Sequence, residues 1–217
     1  MTRSFLRSVA PLVAAVLLAP SLAGPAFAAS DPDLPLRLTY AAQMMHAVLA
    51  KELPQETKDS LVRSIFEEYL RAGEPLGEAL SAPEKGRPVT LRRLYEAPGI
   101  FSIALVIRQP GAPATIHDHG VWMLSAVLAG EEKETLYELY GASDEGFVSL
   151  EYRNTHRIRP GSPVARLEAG TVHKVENPGR VPSISIQIIG NEMTAASGWV
   201  YDPGLRTREP AENGHEE

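Results

Sequence analysis

The sequence predicts a mainly β protein, a single barrel or sandwich preceded by two or three helices. Three observations carry this. Helical periodicity is confined to the stretch before Gly73. From Val89 onward the chain breaks into short β-like runs separated by Gly and Pro. Between the two lies the loop Ser81-Ala-Pro-Glu-Lys-Gly-Arg-Pro88. A chain of 217 residues is long enough for one well-buried domain with additions.

Taken in order, residues 1–28 read as an export signal rather than as part of the fold. Arg3 and Arg7 form a positive start, Val9 to Leu22 an apolar stretch broken by Pro11 and Pro20, and Ala26-Phe27-Ala28 a small-x-small cleavage site. The mature chain is expected to begin near Ala29 and to be periplasmic or secreted. Residues 29–87 hold a Pro/Asp-rich joint and the helices. The first helix is expected from about Leu36 to Lys51, with Tyr40, Met44, Ala47 and Val48 on its apolar face. The second runs from about Glu56 to Ala72, where Leu61, Val62, Ile65, Phe66, Tyr69 and Leu70 recur at helical spacing and Gly73 marks the stop. Residues 88–205 form the barrel, with strands expected at Val89–Glu96, Phe101–Arg108, Val121–Ala129, Glu132–Tyr140, Phe147–Tyr152, Val164–Leu167, Val172–Val175 and Ser183–Ile189. Eight such runs mean a barrel or sandwich. Residues 206–217 are polar and expected to be disordered.

Losing Arg3 and Arg7 with the signal takes the formal charge from −6 to −8. An acidic chain without a Lys/Arg run is a poor partner for nucleic acid or an anionic membrane. The expected partners are small molecules, for a monomer or small homo-oligomer with no membrane contact after signal cleavage. There is no cysteine, so neither disulfides nor a thiol nucleophile serve this protein.

The chemistry gathers at histidine. His117 and His119 lie one residue apart, and in an extended strand such side chains share a face. His173, in Gly170-Thr-Val-His-Lys-Val-Glu-Asn177, completes a set of three imidazoles, a donor set that suits iron, zinc, copper or nickel and leaves coordination positions open. Asp118, between the pair, points the other way and is expected to bond backbone. His46, His156 and His215 match no such pattern and read as packing, surface and tail residues.

Gly111, His117, His119 and Gly130 fall in register with G-x5-H-x-H-x3-4-E-x6-G, and Gly170, His173 and Asn177 with G-x2-H-x3-N. These are the two motifs of the cupin superfamily, which the chain resembles over roughly residues 88–202. The resemblance implies a cupin double-stranded β-helix, a jelly-roll barrel. Met123 stands where cupins usually carry the glutamate ligand, and cupins with three histidines and no glutamate resemble the thiol dioxygenases. Gly130-Glu-Glu-Lys-Glu-Thr-Leu-Tyr137 and His173-Lys-Val-Glu-Asn-Pro178 are similar to segments of cysteine dioxygenases.

That resemblance implies Fe(II), a small thiol (cysteine first) and O2 as substrates, and a sulfinic acid product. It implies that Arg92, rather than Arg93, clamps the substrate carboxylate, and that Trp122 packs under the histidine pair. It also places Ser185 and Gln187 in the relay that family members write Ser-x-His-x-Tyr; here it reads Ser185-Ile-Gln-Ile-Ile189, so histidine and tyrosine are both replaced. Tyr137 and Tyr201 are the candidates for a hydroxyl from elsewhere, each read first as a packing residue. The cysteine–tyrosine crosslink of some cysteine dioxygenases is excluded by the absence of cysteine. Two other readings stay open: another metal-dependent cupin enzyme such as a sulfur-compound lyase, and a non-catalytic metal- or ligand-binding cupin.

Overall fold

The computed structural model describes residues 34–141, 147–190 and 198–211. The export signal falls outside the described residues, as does His215. Two helices come first, α1 (Leu36–Leu49) and α2 (Gln55–Ala72), followed by a single turn, α3 (Glu78–Ser81). Helix α2 buries Leu61, Val62, Ile65, Phe66 and Tyr69, the stripe its periodicity predicts, and Gly73 ends it in the left-handed conformation at φ 63°. Helix α1 departs from expectation: its buried face is Leu38, Ala41, Ala42, Met45 and Val48, while Tyr40 is 60% exposed. Apolar residues occur all round α1, so its sequence does not select a face; packing against α2 does. Its N-terminus follows Pro35, which offers no capping side chain. Instead Glu74 comes back from the loop after α2, its carboxylate oxygens each 3.1 Å from the backbone N–H of Arg37 and Leu38.

Eleven strands follow among the described residues: β1 (Val89–Ala97), β2 (Phe101–Arg108), β3 (Ile116–His117), β4 (Met123–Ala129), β5 (Glu132–Tyr140), β6 (Ser149–Ile158), β7 (Ala165–Leu167), β8 (Val172–Glu176), β9 (Ser183–Ile189), β10 (Trp199–Asp202) and β11 (Thr207–Pro210). They form two antiparallel sheets, in the orders β1-β2-β9-β4-β7 and β11-β10-β3-β8-β5-β6. The mainly β architecture with helices in front is as expected. Strand β6 runs through Ile158, well past Tyr152, and residues 207–210, expected to be disordered, form β11. Polar composition hid that strand. It is held by pairing with β10, by the Arg208 guanidinium 4.2 Å from the Trp199 ring centre, and by the Ala211 N–H donating to Gly198 O at 3.0 Å.

The first sheet has two different faces. Its outer side (Ile103, Leu105, Ile107, Leu124, Ala126, Ile186, Ile188) joins α1 and α2 in one core, and Arg166 of β7 ties to Asp59 of α2 at 2.8 Å. The alternate residues face inward, between the sheets. The chain crosses from β4 in the first sheet to β5 in the second at Gly130, with φ 72°. A Cβ there would lie 2.7 Å from Pro182 O and 2.8 Å from Ser183 Cα. Both the dihedral and the contact demand glycine. Gly130→Ala should cost on the order of 1–3 kcal/mol, read from the urea midpoint; an unchanged midpoint would contradict this account of the turn.

Candidate metal centre

Strand pairing builds the centre. His117 of β3 stands directly across from His173 of β8, and His119 follows in the loop after β3. The three rings are buried, with centroids 4.6–5.1 Å apart, and one ligand nitrogen from each lies within 4.8 Å of the others. His119 Nε2 and His173 Nε2 are 3.0 Å apart. Two nitrogens each about 2.1 Å from one ion, at right angles, stand about 3.0 Å apart. The donor set therefore fits a single divalent metal.

The rings are aimed by partners on their far side. His173 Nδ1 donates to Glu134 Oε1 at 2.9 Å, which holds its lone pair at Nε2, toward the other rings. His117 Nδ1 is 3.3 Å from Thr115 O, turning its Nε2 the same way. Glu134 projects from β5 on the same side as Leu136, the cross-strand neighbour of His173. Burial pushes the Glu134 carboxyl above the ordinary carboxylate range, while the charges of His156 and His117 pull it down. Sequence reasoning passed over Glu134 as a site residue; the signal available was its place in β5, in phase with Leu136. Glu134→Gln should weaken metal affinity roughly 10–100-fold, measured by competition with a coloured chelator. Unchanged affinity would remove Glu134 from the centre.

Asp118 bonds backbone, as expected, and more. Its Oδ1 accepts from the Gly120 N–H at 2.7 Å and its Oδ2 from the Tyr201 hydroxyl at 2.7 Å, pinning the histidine loop to β10. Burial first, then the Asp118 carboxylate, pushes the Tyr201 phenol well above its usual value, so it stays a donor. Tyr201 pairs with Ile116, one residue from His117, and packs with Tyr137 in the cluster on the other face of the sheet. Both tyrosines are therefore packing residues on the side away from the histidines. Asn177 donates to Arg108 O and Val181 O at 2.9 Å and accepts from the Gly179 N–H at 2.8 Å, so it anchors the turn after β8.

The predicted substrate residues fare differently. Ser185 and Gln187 are buried on the inward side of β9. The Ser185 hydroxyl donates to Glu132 Oε1 at 3.0 Å, as Ser183 does at 3.2 Å, beside Arg108, whose Nε is 3.9 Å from the same oxygen. Ser185 thus belongs to a buried polar cluster. The expectation for Arg92 is overturned: it pairs with Leu105, on the helix side of the sheet, and its Nη2 donates to Ala82 O at 2.8 Å. Arg93 pairs with Ala104 and shares the inward face. Parity along β1 depends on its register with β2, which the sequence does not display. Trp122 also differs: it packs with the helix-side core and against Gly190, rather than beneath the histidine pair. His46 is a packing residue, its Nδ1 3.3 Å from the Tyr95 hydroxyl, and His156 is exposed on β6.

No family model matches this chain, and no curated protein sequence does. Among solved structures, it is similar to the cupin_2 domain of an XRE family transcriptional regulator from Enterobacter cloacae, at 18% identity over 48% of this chain and 97% of that one, TM-score 0.35. It is similar to a double-stranded β-helix protein from Klebsiella pneumoniae, at 17% identity over 57% and 86%, TM-score 0.39. It is also similar to Bacillus subtilis oxalate decarboxylase, a protein with Mn(II) centres, at 21% identity over 52% of this chain and 28% of that one, TM-score 0.37.

Proposed function

We propose that the three histidines hold one Fe(II) and that the protein is a thiol dioxygenase, converting a small thiol and O2 to the sulfinic acid (RSH + O2 → RSO2H). The observation that carries this is a buried set of three imidazoles whose ligand nitrogens converge, with Met123 at the sequence position where cupins usually carry a glutamate ligand. Iron in such a site would supply undiminished positive charge to acidify a thiol, open positions for two reactants, and the capacity for one-electron chemistry with O2. The chain's own residues hold and orient. Glu134 fixes the His173 tautomer, and Asp118 with Tyr201 holds the His117–His119 loop. Leu136 and the apolar side chains packed with it exclude water from one flank. Carboxylate fixation by Arg92 is no part of this reading, because that side chain lies on the other face of its sheet. The leader-like residues 1–28 support work outside the cytoplasm.

The test is dioxygen uptake by the iron-loaded protein against a panel of thiols, with the sulfinate identified by mass spectrometry. Uptake matched by sulfinate is expected. Turnover of a sulfur compound without O2 would favour a metal-dependent lyase, and metal binding without any turnover a non-catalytic cupin.

A further inference from the structure

We infer that the apolar side chains bordering the three histidines select an uncharged thiol with an apolar body, not an amino acid or a mercapto acid. This rests on the thiol reading above and deepens it. The inward side chains of Leu91, Ala104, Met123 and Ile189 pack into one cluster with Leu167 and Leu136. Leu136 stands directly across from His173, so this wall borders the metal centre. Met123, at the fourth-ligand place, contributes a thioether instead of a charge.

The cations that could hold a carboxylate are committed elsewhere. Arg92 is turned to the helices and bonded to Ala82 O. Arg93 faces inward but its Nε lies 3.1 Å from Glu96 Oε2, with 45% of its side chain in solvent. Arg108 faces inward too, beside Glu132, with side chains 3% and 4% exposed. A carboxylate brought to either inward arginine meets an existing carboxylate. It must displace that group or sit next to a like charge, in a setting where screening is weak. An apolar chain laid on the Leu91–Leu136 wall meets no such opposition and gains burial. Hydrophobic pockets discriminate by about 10–200-fold per methylene.

The experiment uses the full chain loaded with Co(II), titrated without O2 while the visible bands are followed. Ethanethiol and 1-propanethiol should bind at least tenfold more tightly than cysteine or 3-mercaptopropionate, and propanethiol more tightly than ethanethiol. Leu91→Ala should weaken propanethiol roughly tenfold without loss of metal; Leu91→Met, which keeps the apolar volume, should restore it. Arg93→Ala should leave every affinity within about twofold. If the carboxylate thiols bind more tightly and Arg93→Ala removes that preference, the inference is overturned while the thiol reading stands. If no thiol of either kind moves the bands, although azide does, the thiol reading itself falls and takes the inference with it.

Discussion

Replacing any one of His117, His119 or His173 by Ala is expected to leave the purified protein with less than roughly a tenth of the wild-type metal content after dialysis, and with no thiol oxidation. Removing a partner of a metal-bound histidine already costs about 10–100-fold in affinity, so removing the imidazole should cost more. A second readout is thermal: a metal that binds only the folded protein raises its melting temperature in proportion to the logarithm of metal concentration over Kd. Adding Fe(II) should therefore raise the wild-type Tm and leave the three variants unmoved. Full retention of metal in all three would sink the metal centre, and with it the proposed activity.

Glu132→Ala should be the most damaging single change to stability. It removes the carboxylate beside the buried Arg108 guanidinium and takes the shared acceptor from Ser183 and Ser185. Breaking a buried ion pair from one side costs about 3–5 kcal/mol, whereas replacing both partners by apolar groups is often neutral. Glu132→Leu combined with Arg108→Met should accordingly recover most of the loss in a urea titration. Ser185→Ala, which removes one hydrogen bond, should cost only about 1 kcal/mol and leave kcat/KM near wild type. A large fall in kcat/KM with stability intact would instead return Ser185 to the catalytic machinery. Equal stability of Glu132→Ala and wild type would show that the cluster contributes nothing.

Much of the site was legible because its signals are local. His117 and His119 are two residues apart, and the glycines at 111, 120 and 170 mark turns that the backbone makes with φ of 63–75°. Helix α2 was legible for the same reason: charged residues flank a narrow apolar stripe. Helix α1 was not, since an apolar residue stands on every side of it and only contact with α2 selects the buried one. Strand β11 escaped because Thr207-Arg-Glu-Pro210 is polar; a short strand at the edge of its sheet, with Glu209 and Pro210 exposed, needs no hydrophobic alternation.

By itself the sequence determined the order of helices and barrel, the donor set of the centre and the exclusion of cysteine chemistry. All of these depend on residue identity or on neighbours a few positions apart. Only the tertiary structure decided that Glu134 stands behind His173, that Ser185 serves Glu132, and that Arg93 rather than Arg92 faces inward. The physical reason is register. Side chains alternate faces at every step along a strand, so a one-residue difference in how β1 meets β2 reverses the assignment. That register is set by burial of Leu105 and Ile107 against the helices and by the irregularity between Arg93 and Tyr95, contacts made by residues far apart in the chain.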